Sequence, residues 1–167
     1  MRLILQNSQH ELIPLESELE ALKLYLELEA VRFDHHFSYT IKLDDNLDAA
    51  ILKVPPLIIQ PYAENAIWHG LMHKEEKGNL LIELREEGDY LVCSITDDGI
   101  GRKKAAELKS KSASTHKSMG MKITADRIAS LKMKTSKENN IQITDLVLPD
   151  GSPGGTRVEI KISLQYD

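Results

Sequence analysis

The chain has 167 residues, room for one ordinary domain and an appendage; 41% hydrophobic residues can build a core and 28% charged residues solvate its surface. A net charge of −5 argues against nucleic acid as a partner, because a phosphate backbone requires clustered Lys and Arg. The single cysteine, Cys93, excludes an internal disulfide and reads as a small core residue, and neither a bilayer-spanning apolar run nor a signal peptide is evident.

Residues 14–33 are predicted to form one helix. At about 100° per residue, Leu15, Leu19, Leu22, Leu26 and Phe33 fall in one stripe, while Ala21, Leu24, Leu28 and Val31 form another on nearly the opposite side. Charged residues occupy the sectors between. Two opposed stripes fit a helix that packs on its own domain and against a further helix; they equally fit a helix buried between two layers of one domain. Residues 37–43 alternate apolar and polar and predict a half-buried strand, followed by a polar turn over 44–48. Pro55 and Pro56 are expected to open a helix that runs to about Met72, since proline suits a first turn but not a helix interior.

Residues 79–86 and 90–96 are predicted strands of a hairpin turning at Gly88-Asp89. A short polar helix over 102–109 is expected next, then a loop without periodicity over 110–118, then a helix over 120–132. Residues 141–148 and 156–164 predict two further strands, linked by a Pro- and Gly-rich turn. Hairpins and segregated helices favour an α+β two-layer sandwich: a mixed, mostly antiparallel sheet with helices on one face, preceded by the N-terminal helix.

Four segments carry candidate chemistry. In QPYAENAIWHG, residues 60–70, Asn65 and His69 are spaced i, i+4 and share a helix face. An Asn amide oxygen is a hard ligand suited to Mg²⁺ that also holds phosphate oxygens. In TDDGIG, residues 96–101, an aspartate at a strand end can accept a hydrogen bond from the exocyclic amine of adenine, where guanine presents a carbonyl. Gly99 and Gly101 permit a sharp turn and close approach to a ligand. In SMGM, residues 118–121, a helix start offers free N–H groups to phosphate. Near it His116, Lys117 and Lys122 can add positive charge, and the preceding loop would form a lid. Gly155-Thr156 opens the last strand. His69 and His73 could also be read as an i, i+4 metal pair, but no third ligand is evident. His35-His36 reads as strand-edge surface.

In this order the four segments resemble the nucleotide site of the ATPase/kinase superfamily of gyrase, Hsp90, MutL and the sensor histidine kinases, which has the Bergerat ATP-binding fold. PPLIIQ at 55–60 and LEALKLYLELE…RF at 19–33 narrow the resemblance to LytS-type sensor histidine kinases, over nearly the whole chain. The resemblance implies an ATP site at Asn65, His69, Asp97, Gly99, Gly101, Gly120, Met121 and Thr156, with Mg²⁺ on Asn65 and further phosphate contacts at Lys117, Ser118 and Lys122. It also implies a cytoplasmic domain of an inner-membrane sensor kinase that is homodimeric. Its γ-phosphoryl would pass to a His on dimerisation helices and then to a response regulator, often of the LytTR class.

Residues 1–33 would be a remnant of the dimerisation region and its connecting helix, and 34–167 the catalytic domain. His10 lacks the Pro-His-Phe context of an acceptor, so this chain alone is not expected to autophosphorylate. Three positions depart from the pattern. Trp68 stands where many histidine kinases carry Lys, Ser118 where Gly is common, and Pro61 where hydrolytic relatives place a water-activating Glu. Glu64 points about 100° away from Asn65 and does not replace that base. A site without it suits transfer to a side chain better than hydrolysis. The alternatives are an ATP-dependent interaction module without transfer and, disfavoured by Pro61, a free-standing ATPase.

Overall fold

A computed structural model describes residues 12–111 and 140–165. The elements are β1 (Ile13–Pro14), α1 (Leu15–Arg32), β2 (Phe37–Leu43), β3 (Lys53–Val54), α2 (Gln60–Asn65), β4 (Gly78–Glu87), β5 (Tyr90–Asp97), α3 (Arg102–Lys111), β6 (Asn140–Val147) and β7 (Pro153–Ser163). The main sheet has the order β2-β4-β5-β7-β6; β2 and β4 are parallel and every other pair is antiparallel. A two-stranded sheet of β1 and β3, absent from the sequence reading, closes the chain behind α1. The fold is thus the expected α+β sandwich.

Strand periodicity decides which side chains meet the helices. Phe37, Leu80, Ile82, Leu84, Leu91, Cys93, Ile95, Ile160 and Ile162 are buried on that side. Burial pushes the Cys93 thiol well above its ordinary range, with the Glu18 charge adding to it, so Cys93 is an inert core residue. On the opposite face Arg85 bridges to Glu159 at 2.9 Å and Lys42 to Glu83 at 3.9 Å.

Strong helix formers, acidic residues in the first turn and Arg32 in the last build α1. Leu15, Leu19, Leu22, Leu26 and Ala30 are buried in the same core as the sheet. The second stripe divides. Ala21 is buried, whereas Leu24, Leu28 and Val31 are 49%, 71% and 68% exposed, so among the described residues no second layer covers this side of α1.

One boundary is corrected. The helix begins at Gln60, not at Pro55, because Leu57 adopts φ 58°, a left-handed conformation that no helix continues through. What holds this turn is Glu18 of α1, 2% exposed. Its carboxylate accepts the N–H groups of Leu57 at 2.9 Å, Ile58 at 2.9 Å and Ile59 at 3.3 Å. Beyond Asn65 the chain stays helical but widens into a π-turn over Ala66–Gly70 and then tightens into a 3₁₀ turn over Leu71–His73. Other element ends shift as well, most of all β7, which starts at Pro153, and α3, which continues to Lys111.

Candidate functional site

A cleft of about 290 Å³ opens between the α2 segment, α3 and the sheet. Its floor is set by strand register. Ile95, Val158 and Ile143 lie directly opposite one another on β5, β7 and β6, and Asp97 and Thr156 form the next inward-facing row on β5 and β7. One wall comes from Tyr62, Asn65, Ala66 and His69, whose i, i+3, i+4, i+7 spacing gives one helical face. Arg102, Ala105, Ala106 and Lys109 of α3 form the other wall with the same spacing. The structure therefore brings Asn65, His69, Asp97, Gly101 and Thr156 to a single cavity.

The Asp97 end is built by glycines. A side chain on Gly70 would begin 2.8 Å from Asp97 Oδ1, one on Gly99 would collide with the Gly70 backbone, and one on Gly155, at φ 110°, would collide with the Asp97 carbonyl oxygen. Ile100 N–H donates to the Gly70 carbonyl at 3.3 Å and locks the two segments. Gly99 therefore serves backbone packing rather than lining the cleft.

The adjacent carboxylates Asp97 and Asp98 behave oppositely. Burial pushes Asp97 up to about 6; the Gly99 and Thr156 N–H groups oppose the shift and the Asp98 charge adds to it. Asp97 Oδ1 accepts Gly99 N–H at 2.9 Å. At Asp98 burial also acts upward, but hydrogen bonds from Asn79 and the Lys74 ammonium outweigh it and hold the carboxyl below its ordinary value. Asn79 N–H and Nδ2 donate to it at 2.7 and 2.9 Å, and Lys74 lies 3.4 Å away. Asp98 thus anchors the start of β4, while Asp97 faces the cleft.

Trp68 does not line the cleft. Its ring packs edge-on against Phe33 at 4.9 Å, 82° between planes, and the Arg32 guanidinium sits 5.0 Å from its centroid. Glu64, one turn earlier, is exposed, and its charge acts on Tyr25 of α1. The Glu64/Trp68 face of the segment thus turns to α1 and the Asn65/His69 face to the cleft. Among the described lining residues Asp97 is the sole carboxylate.

Among the described residues no group of three or more His, Cys, Asp or Glu could hold a metal alone. A cation at Asn65 would need oxygens from a ligand and water, which fits Mg²⁺ and its habit of sharing substrate phosphates. Gly120, Met121, Lys117, Ser118, Lys122 and His116, with the 110–118 loop beyond Lys111, the predicted 120–132 helix and His10, lie outside the described residues.

Sequence reasoning missed three things here. Tyr62 and Ala66 are one helical step from Asn65 and His69 and were legible from that spacing. The cleft face of α3 was hidden because its two ends are cationic and its middle is alanine. Glu18 had a signal: it lies i+3 from Leu15 and i−4 from Leu22, on the apolar stripe itself.

No family model matches the chain. Its sequence is 37% identical over 101 residues to the sensor protein LytS of Oceanobacillus iheyensis, covering 60% of this chain and 17% of that protein. With LytS of Staphylococcus epidermidis it shares 31% over 97 residues, 58% of this chain and 16% of that one. The chain thus spans about a sixth of the length of the curated relatives it matches. Among solved structures, the catalytic domain of histidine kinase ThkA superposes with a TM-score of 0.60 at 13% identity, over 91% of this chain and 93% of that one. The mycobacterial sensor histidine kinase MprB gives 0.59 at 14% identity, over 89% and 95%. Full-length ShkA, solved in complex with AMPPNP, gives 0.64 at 16%, over 93% and 32%. The fold is that of histidine kinase catalytic domains.

Proposed function

We propose that this chain is the ATP-binding catalytic domain of a LytS-type sensor histidine kinase, spanning about 34–167, with α1 belonging to the connection from the dimerisation region. The observation that carries the reading is one cleft, in the fold of histidine kinase catalytic domains, where Asp97 and Thr156 lie at one end and Asn65 and His69 on one wall. A neighbour of the same fold was solved with AMPPNP, an ATP analogue. In this reading the Asp97 carboxylate accepts the adenine amine and repels a guanine carbonyl. Ile95, Val158 and Thr156 border the base. His69 contacts the nucleotide beside Asn65. Gly101, at φ 81°, turns the chain out of the cleft into α3. When bound through Asn65, Mg²⁺ supplies charge neutralisation for the phosphates.

Transfer is favoured over hydrolysis by the described lining residues, which include no base near the Asn65 wall. Pro61 cannot accept a proton, Glu64 faces α1, and Asp97 is engaged at the base end. Among the described lining residues water has no base near the phosphates, and in this reading an aligned side-chain nucleophile takes the phosphoryl. The acceptor is a His on the parent's dimerisation helices; the phosphoryl then passes to a response regulator, of the LytTR class by family resemblance. The parent is a homodimeric inner-membrane kinase and this domain is on its cytoplasmic side. Calorimetry with Mg²⁺ should show ATP bound in preference to GTP. A fragment bearing the parent's dimerisation helices should then become labelled by this chain and ATP, and Asn65→Ala should abolish the labelling. Equal affinity for ATP and GTP overturns the adenine assignment. Binding without transfer establishes an interaction module instead, and steady phosphate release establishes an ATPase.

A further inference from the structure

We propose that α3 is the phosphate-side wall of the nucleotide site and that Lys109 is a cation that meets the phosphates; this rests on the adenine-nucleotide reading above. Four observations converge. First, Arg102, Ala105, Ala106 and Lys109 form one face of α3, and all four line the cleft. The two alanines leave the middle of that face shallow enough for a ligand to lie against it.

Second, the Arg102 guanidinium is already committed. Its Nε and a terminal nitrogen each donate to Asp145 at 2.7 Å, a bidentate pair that ties the start of α3 to β6. Lys109, by contrast, makes no ion pair among the described residues. Third, Asp97 and Gly101 mark the base end, and Arg102 follows Gly101 directly. Seven helical residues later, about 10 Å of rise, Lys109 stands toward the other end of the cavity, a span comparable to that between a nucleobase edge and its phosphates. Fourth, the opposite wall offers no lysine. Trp68 is turned onto Phe33, leaving Asn65 and His69 facing the cleft. In a chain of net charge −5, a polyanion needs a local positive charge to enter. A long flexible ammonium at the rim supplies it without a fixed geometry.

Calorimetric titration of ATP, ADP and adenosine, each with Mg²⁺, into the full chain and into Lys109→Met, Lys109→Arg and Lys104→Met tests the assignment. Lys104 is an exposed lysine of α3 that does not line the cleft. Lys109→Met should weaken ATP and ADP about tenfold or more while adenosine binds as before, as expected for loss of a charge-assisted contact. Lys109→Arg should recover most of that loss, and Lys104→Met should behave as the unaltered chain. Unchanged ATP affinity in Lys109→Met overturns the proposal, and so does an equal loss for ATP and adenosine. An equal loss in Lys104→Met overturns it too, since the effect would then be general charge. Should the unaltered chain bind none of the three ligands, the nucleotide reading itself falls; should it bind them and Lys109→Met match it, the role of Lys109 alone falls.

Discussion

Helices α1 and α3 flank the same short helical segment on different sides and are held by opposite means. Eight of the 18 residues of α1 are buried, two of them carboxylates, and it shares the core of the sheet. No residue of α3 is buried, and among the described residues its side-chain tie to the sheet is the Arg102–Asp145 pair, whose side chains are 50% and 56% exposed. An ion pair so exposed is screened and contributes little to stability. The difference assigns the two helices distinct tasks. α1 braces the back of the segment at both ends, Glu18 at its entry and Phe33 with Arg32 against Trp68 at its exit, and so fixes where Asn65 and His69 point. α3, with no buried residue, is the more weakly held wall of the cleft.

The bracing role of α1 is tested most directly at Glu18. Glu18→Ala leaves three backbone N–H groups in a buried turn without their acceptor, at a cost on the order of 3–5 kcal/mol. For a domain of this size that is a fall in Tm of about 2–4 °C per kcal/mol, readable by calorimetry. Glu18→Gln keeps one acceptor oxygen and should fall between. If Glu18→Ala melts with the unaltered chain, α1 is not a brace.

Glu18 also shows where sequence reasoning stops. Strands β2, β4 and β5 were legible almost to the residue because alternation reports directly on which face is buried. Asn65, His69, Asp97 and Thr156 were legible as neighbours of one cleft because their segments, in this order, resemble the nucleotide site of the histidine kinase superfamily. The Glu18 contacts reach 39 to 41 residues along the chain, to a turn whose left-handed Leu57 has no local signature. Proline chemistry at Pro55-Pro56 pointed to a helix start there, and a tertiary acceptor moved it to Gln60. The cleft face of α3 was hidden for a related reason: alanines and end cations look the same on a solvated helix and on a ligand wall.

A smaller effect sharpens the contrast at the floor of the cleft. Burial holds Asp97 at about 6, so its carboxylate loses its charge, and with it its strength as an acceptor, as pH falls through that value. Adenosine, which carries no phosphates to confuse the titration, should therefore bind about tenfold more weakly at pH 5 than at pH 7.5. Asp97→Asn should bind weakly throughout and show a flat profile. Stability runs the other way: a raised folded value means the neutral form is favoured in the fold, so Asp97 lowers stability as pH rises from about 4 to about 6 and leaves it level above. A pH-independent affinity for adenosine in the unaltered chain would remove Asp97 from the base contact.

The smallest expected effect is on the outer face of α1, and it decides whether the brace is one-sided. Leu24, Leu28 and Val31 are exposed on the face opposite the buried stripe, so nothing among the described residues gains from their burial. Leu28, 71% exposed, is the clearest case. Leu28→Ser removes apolar surface that is already in water, and its effect on folding should stay within about 0.5 kcal/mol. In the function proposed above, the same face is where the dimerisation helices of the parent would meet this domain. A mixture with that fragment should accordingly show slower labelling for Leu28→Ser while ATP binds as before. A melting temperature lowered as far as in a buried-leucine variant such as Leu26→Ala, where about 2–5 kcal/mol is expected, would mean that the outer face is packed within this chain. α1 would then be an interior helix with contacts on both sides, and its contrast with α3 would rest on Glu18 alone.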